Sequence, residues 1–126
     1  LEAEYAVHYS DSGETELTKP VMVVYKDGLP PWHIRSDTGR ISSGGEQLFL
    51  NGQVNIDRAA AEGVRAIDIK TTNLRVQPKR NYAETDDWAE MISELDIISG
   101  VGMKLFYQEP LYIELLANVK GRHEYK

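Results

Sequence analysis

Leu48, Leu50, Val54 and Ile56 stand two residues apart with Gly52 in the same phase, and side chains in that pattern could do one kind of chemistry: hold hydrocarbon out of water. Successive residues of a strand face opposite ways, so the four make one wall. Gly52 leaves a gap in it, as at a bulge, a bend or a close backbone approach. A weaker copy closes the chain, where Leu111, Ile113, Leu115, Ala117 and Val119 share a phase. Burying an acyl tail gains about 0.8 kcal/mol per methylene, so a row of Val, Leu, Ile and Met can retain a lipid without one polar contact. A sandwich core filled by its own side chains shows the same alternation. Periodicity alone leaves both readings open.

Bond-making chemistry has little to work with. His8, His33 and His123 fall in no metal-ligand spacing such as H-x-H or H-E-x-x-H, and read as solvated residues on outward faces. Asp86 and Asp87 are adjacent, so on a strand they point apart and make no acid pair; a polar turn is the simpler expectation. Gly44-Gly45 and Gly100-x-Gly102 precede no convincing helix, which weakens a phosphate-loop reading. A Gly-x-Ser-x-Gly elbow is absent. The chain is expected to be no enzyme and to need no metal or cofactor.

The elements that would position the wall are nearly all strands. Residues 3–9 are aromatic and β-compatible until Ser10-Asp11-Ser12-Gly13 breaks them, and Thr15 to Thr18 resumes before Pro20. Val21 to Tyr25 is strongly β-prone, and Lys26-Asp27-Gly28 is a hairpin signal. Residues 32–37 alternate, with Trp32 and Ile34 on one face, and Ser42-Ser43-Gly44-Gly45 marks another hairpin. Asp57 to Gly63 has helix-like composition but is too short to nucleate, so a loop or single turn is expected. Ile67 and Ile69 alternate cleanly, whereas Leu74 and Val76 lie on the other register, which predicts a bulge or corner near Thr72-Asn73. Pro78 to Thr85 is expected to be a mobile polar loop, and Trp88 to Ile92 a helical turn or a strand. In Leu95 to Met103 the odd positions are apolar. Short strands with turns at this spacing predict an all-β antiparallel barrel, sandwich or jelly roll.

A chain of 126 residues, 41% hydrophobic and 27% charged, fits one ordinary globular domain over residues 1–126. A net charge of -6 argues against nucleic acid as a partner. The lack of cysteine excludes disulfides and Cys-based zinc sites. No run approaches the ~20 apolar residues of a membrane span, and no signal peptide is present. The start at Leu1 suggests a fragment lacking its native N-terminus.

A longer series of motifs carries a resemblance. It runs through Pro20-Val21-Met22, Gly28-Leu29-Pro30-x-Trp32-x-Ile34-x-Ser36-Asp37-x-Gly39 and Leu48-x-Leu50-x-Gly52-x-Val54-x-Ile56. It continues through Ile69, Thr71, Thr72 and Leu74, then Thr85-Asp86-Asp87, Ser99-Gly100-Val101-Gly102-Met103 and Leu115 to Gly121. In this order the set resembles LptC, a lipopolysaccharide-export family of Gram-negative bacteria. The L-x-L-x-G-x-V element is shared with LptA; the early Pro-x-Trp-x-Ile segment and the single-unit length favour LptC. Asn51 stands where some relatives carry Tyr, and the Ala59 to Glu62 insert is this chain's own.

The resemblance implies a twisted antiparallel β-jelly roll, OstA-like and open along one side. It implies a periplasmic domain held to the inner membrane by an N-terminal helix outside this sequence. It implies a non-enzymatic carrier that takes lipopolysaccharide from the transporter LptB-F-G and hands it to LptA through head-to-tail jelly rolls. The inner wall for acyl chains would then be Met22, Val24, Ile34, Leu48, Leu50, Val54, Ile56, Ile67, Ile69, Leu74, Val76, Ile97, Val101, Met103, Ile113 and Leu115. The edge facing the transporter would carry Tyr5, Val7 and Tyr9, and the edge given to LptA would carry Leu111, Ile113, Leu115, Ala117 and Val119. The rivals are a carbohydrate-binding or enzymatic jelly roll using Trp32 or Trp88, and a structural adaptor with a closed interior.

Overall fold

The computed structural model describes residues 1–108 and 111–123, with the side chain of His123 outside the described set. The strands are β1 (Tyr5–His8), β2 (Thr15–Thr18), β3 (Val21–Lys26), β4 (Leu29–Ile41), β5 (Leu48–Arg58), β6 (Ile67–Gln77), β7 (Tyr82–Ser93), β8 (Asp96–Phe106) and β9 (Tyr112–His123). All pair antiparallel in one sheet, ordered β1-β2-β4-β5-β6-β7-β8-β9. β5 takes one edge of β4 along most of its length, so β2 and β3 share the other edge end to end: β3 against Trp32 to Arg35, β2 against Thr38 to Ile41. The chain steps between them at Lys19, in left-handed conformation, and at a fully buried Pro20, which has no amide hydrogen to pair. The sheet does not close: β1 and β9 are its two ends.

A crease shapes this sheet. Register shifts interrupt β4 between Ser36 and Thr38, β5 between Leu50 and Gln53, β6 between Lys70 and Arg75, β7 between Thr85 and Trp88, and β8 between Ser99 and Val101. Cross-strand pairs at neighbouring registers, such as Ser36 with Val54 and Val54 with Thr71, place these interruptions in one line across the sheet. Gly52, Asn73, Gly102 and Asn118 on that line have φ of 81°, 52°, 83° and 50°. Bulges bend strands, and bulges in line bend the whole sheet. Apolar residues from both sides of the line, such as Ile34, Ile56 and Ile69 on one side and Leu48, Leu74 and Leu105 on the other, join one buried cluster. The result is an open jelly roll with its apolar face inside.

The expected hairpins at Asp27-Gly28 and Ser42 to Gly45 form, and the phase change near Thr72-Asn73 is the β6 part of the crease. Two segments differ from expectation. Only Pro78 to Asn81 leaves the strands where a mobile loop over Pro78 to Thr85 was predicted. Tyr82, Ala83 and Thr85 are buried, and the Tyr82 ring lies 4.6 Å from that of Phe106, which draws the polar stretch into β7. The same strand takes up Trp88 to Ile92. Asp57 and Arg58 also belong to a strand, and beyond them the chain makes a tight bend closed by hydrogen bonds between Ala61 and Val64.

Candidate functional site

The inner wall is built by alternate residues on each side of the crease. Ile34, Leu48, Leu50, Val54, Ile56, Ile69, Leu74, Val76 and Met103 are almost completely buried there, and Met22 and Ile67 nearly so. Val24, Leu111, Ile113 and Leu115 are half-buried against the same cluster and form its rim. The expected wall lacked several of its members: Trp32, although in phase with Ile34, and Leu17, Ala83, Ala89, Leu105 and Tyr107. Leu105 simply continues the phase of Met103. Burial pushes the Tyr107 phenol up to about 12.

Two expected members of the wall face the other way. In β8, Ile98 pairs with Met91 and Gly100 with the buried Ala89, so these share the inner face; beyond the crease Met103 and Leu105 take it over. Ile97 pairs with Ile92, and Val101, 40% exposed, pairs with the exposed Trp88, so both lie on the outer face. The physical cause is the kink at Gly100 to Gly102, which shifts the odd-even phase in the middle of the strand. Ala117 pairs with Val101 and so shares the outer face, whereas Leu115 pairs with the inward Met103. A Cβ on Gly100 would come within 3.1 Å of Leu115 Cβ and 3.3 Å of Val119 Cγ2, so Val119 returns to the inner side.

Side-chain hydrogen bonds hold the crease from outside. The Gln53 amide donates to Asp37 Oδ2 (2.8 Å) and the Gly52 amide to Asn73 Oδ1 (3.1 Å). Thr72 Oγ1 (2.7 Å) and Asn73 Nδ2 (2.9 Å) both donate to Asp87 Oδ2, and Thr85 Oγ1 donates to the Thr72 carbonyl (2.8 Å). The bonds from Thr72, then Asn73, hold the Asp87 carboxyl below the usual carboxylate range. Asp86 instead takes Arg75 in a two-pronged pair at 3.2 and 3.3 Å. The expected polar turn at these residues is therefore a bulge, with the two carboxylates on separate partners. Gly52 is required here: its φ of 81° disfavours a side chain, and a Cβ would stand 2.5 Å from Asp37 Oδ2.

Among the described residues, the outer edges of β1 and β9 pair with no further strand. β1 spans four residues, with Tyr5 exposed and Val7 half-buried, while Tyr9 lies in the turn beyond it. β9 spans twelve residues. Near the Leu111 end of the rim a cleft of about 560 Å³ opens beside Leu29, Val64, Ile67 and Leu111, with Arg58 and Arg65 in its lining. Arg58 lies over the Trp32 ring at 4.8 Å and donates to the Arg65 carbonyl.

His8 bonds Thr15 Oγ1 at 3.0 Å on an exposed strand, and His33 stands 3.8 Å from Asp57; the expectation for His123 lies outside the described residues. Among the described residues no group of three or more His, Cys, Asp or Glu could hold a metal ion, and no helix is long and apolar enough to cross a membrane. Trp32, at 4% exposure, is closed to any ligand, whereas Trp88 is 50% exposed.

Comparison with known proteins agrees with this architecture. The lipopolysaccharide-assembly, LptC-related family matches residues 1–124. The crystal structure of LptH from Pseudomonas aeruginosa, the LptA-homologous periplasmic component of a lipopolysaccharide transport device, is similar with a TM-score of 0.74. The match covers 98% of this chain and 93% of that one at 12% identity, a likeness of fold. No curated protein matches. The chain belongs to the LptC-related lipopolysaccharide-assembly family, as a non-enzymatic periplasmic component of lipopolysaccharide transport.

Proposed function

We propose that residues 1–126 act as one periplasmic unit that carries the acyl chains of lipopolysaccharide along its inner wall. The unit receives the lipid from the inner-membrane transporter LptB-F-G at the β1 edge and passes it to LptA at the β9 edge. In the full-length protein an N-terminal helix holds it at the membrane. The observation that carries the reading is the combination of one continuous apolar face with a sheet that never closes. A closed sandwich would have no route to its interior; here the half-buried Leu111, Ile113 and Leu115 line a seam along β9.

Loading requires the two halves of the sheet to part, because the inner residues fill the interior at rest. Each methylene of a tail that replaces a side-chain contact restores about 0.8 kcal/mol of burial, so exchange of core for lipid is close to balanced. A tail entering at the end cleft would pass Leu29, Val64 and Ile67, where Arg58 is held over Trp32 and Arg65 is paired with Asp96.

Handover is tested at the edge. Ile113→Pro and Leu115→Pro remove a backbone donor or distort β9. Transfer of labelled lipopolysaccharide from the loaded domain to LptA should fall in variants that remain folded by circular dichroism. Unchanged transfer would contradict the β9 edge as the exit.

A further inference from the structure

A cleft of about 990 Å³ lies on the face opposite most of the apolar wall and is floored by outward residues of β4 to β7, among them Arg35, Gln53, Asn55, Asp68, Lys70 and Trp88. Residues 2–4 and 19–21 form its other side. We propose that this cleft is a binding site for a neutral oligosaccharide, with the Trp88 indole as the platform on which a sugar ring rests.

Three observations point to that ligand class. Trp88 offers a half-exposed ring face, with the outward Val101 and Ala117 in register beside it, so an apolar step sits at the border of a cleft whose lining mixes apolar and polar groups. A pyranose presents that combination: a C–H face for an indole and a rim of hydroxyls. The polar groups come as planar donors and acceptors on rigid strands. The Asn55 amide is fixed by Asp68 Oδ1 at 2.6 Å and Arg35 by Asp57 at 3.1 Å, while the Gln53 side-chain amide and the Lys70 ammonium have no side-chain partner among the described residues. The charge lining the cleft is nearly balanced, three cations (Lys19, Arg35, Lys70) against four carboxylates (Glu2, Glu4, Asp37, Asp68), which gives a phosphorylated or polyanionic ligand no net attraction. The site meets the inner wall only at the crease, through Ser36, Val54 and Thr71, and needs no opening of the sheet.

The test is an NMR titration of the whole domain with two probes: the deacylated, dephosphorylated saccharide of lipopolysaccharide, and maltohexaose as a free neutral glycan. The Trp88 indole N–H and the Gln53, Asn55 and Lys70 signals should shift saturably, while Trp32, shielded in the core, stays still. Binding of the first probe alone assigns the ligand to the saccharide of lipopolysaccharide; binding of maltohexaose alone or of both assigns a general glycan site. Trp88→Ala should weaken binding about tenfold with an unchanged melting temperature; Tyr25→Ala, outside the cleft and 80% exposed, should leave it unaltered. No shift with either probe, or equal affinity in Trp88→Ala, overturns the proposal. Neither outcome touches acyl-chain binding, which lipid A alone would still report.

Discussion

The two faces of this sheet are written on the same strands one residue apart, and they behave as different materials. Inside, Ile34, Leu50, Ile56, Ile69, Leu74 and Met103 are packed until almost no surface is left. Outside, neighbouring strands are laced by Arg75 to Asp86, Arg35 to Asp57, Arg40 to Glu14 and the Asp87 network, and a cleft of about 990 Å³ opens beside Arg35 and Lys70. The inner face is filled by its own side chains except at the end cleft beside Ile67 and Leu111, whereas the outer cleft stands open at rest. On the proposed reading, lipid carriage involves separation of the halves, while an outer-face ligand meets a preformed site.

The sharpest break between the faces should appear in stability. Ile69→Ala and Leu74→Ala each remove fully buried side chains and should cost about 2–5 kcal/mol in urea unfolding. Lys70→Ala, beside Ile69 but outward, should stay within about 0.5 kcal/mol. Equal costs would erase the distinction between the faces.

The crease, where the faces meet, should respond next. Gly52→Ala places a Cβ against Asp37 at a positive φ and should cost about 1–3 kcal/mol. Asp37→Ala in the same chain relieves the contact but not the backbone strain, so the double variant should recover only part of the loss. Full recovery would mean that the left-handed turn at Gly52 is not what bends β5.

Asp87 gives the smallest and most selective effect. Its folded carboxyl titrates below its unfolded value of about 3.9. The stability it contributes is thus fully present above that value and drains away as pH falls through the lower, folded one. Asp87→Asn should differ from the parent most near neutral pH and converge with it in acid. A gap that persists below the folded value would assign the role of Asp87 to packing rather than charge.

Much of this plan can be read from residues, and what escapes has a physical reason. Alternation identified Leu48, Leu50, Val54, Ile56, Ile67, Ile69, Leu74 and Val76 as one wall because within β5 and β6 it holds up to the bulge on either side. The phase slip between Ile69 and Leu74 announced the β6 bulge. Ile97 and Val101 were misassigned because Gly100 to Gly102 carries a bulge that no apolar residue marks. Tyr82 and Ala83 hid in a polar stretch because their burial comes from β8, about twenty residues away, through Phe106 and Leu105. The outer cleft was invisible for the same reason: its walls are assembled from the first residues, the β2–β3 step and four strands, and only Trp88 stood out in advance.

The central claim is that the inner wall, solid in the empty protein, is what touches lipid in the loaded one. Photocrosslinking residues placed singly at Leu50 and Ile69, and at the outward Phe49, which lies outside the outer cleft, address it directly in the presence of lipopolysaccharide. The account predicts capture through Leu50 and Ile69 and none through Phe49. Capture confined to Phe49, with the inward sites silent in a folded protein, would contradict it and leave the inner face as a core alone.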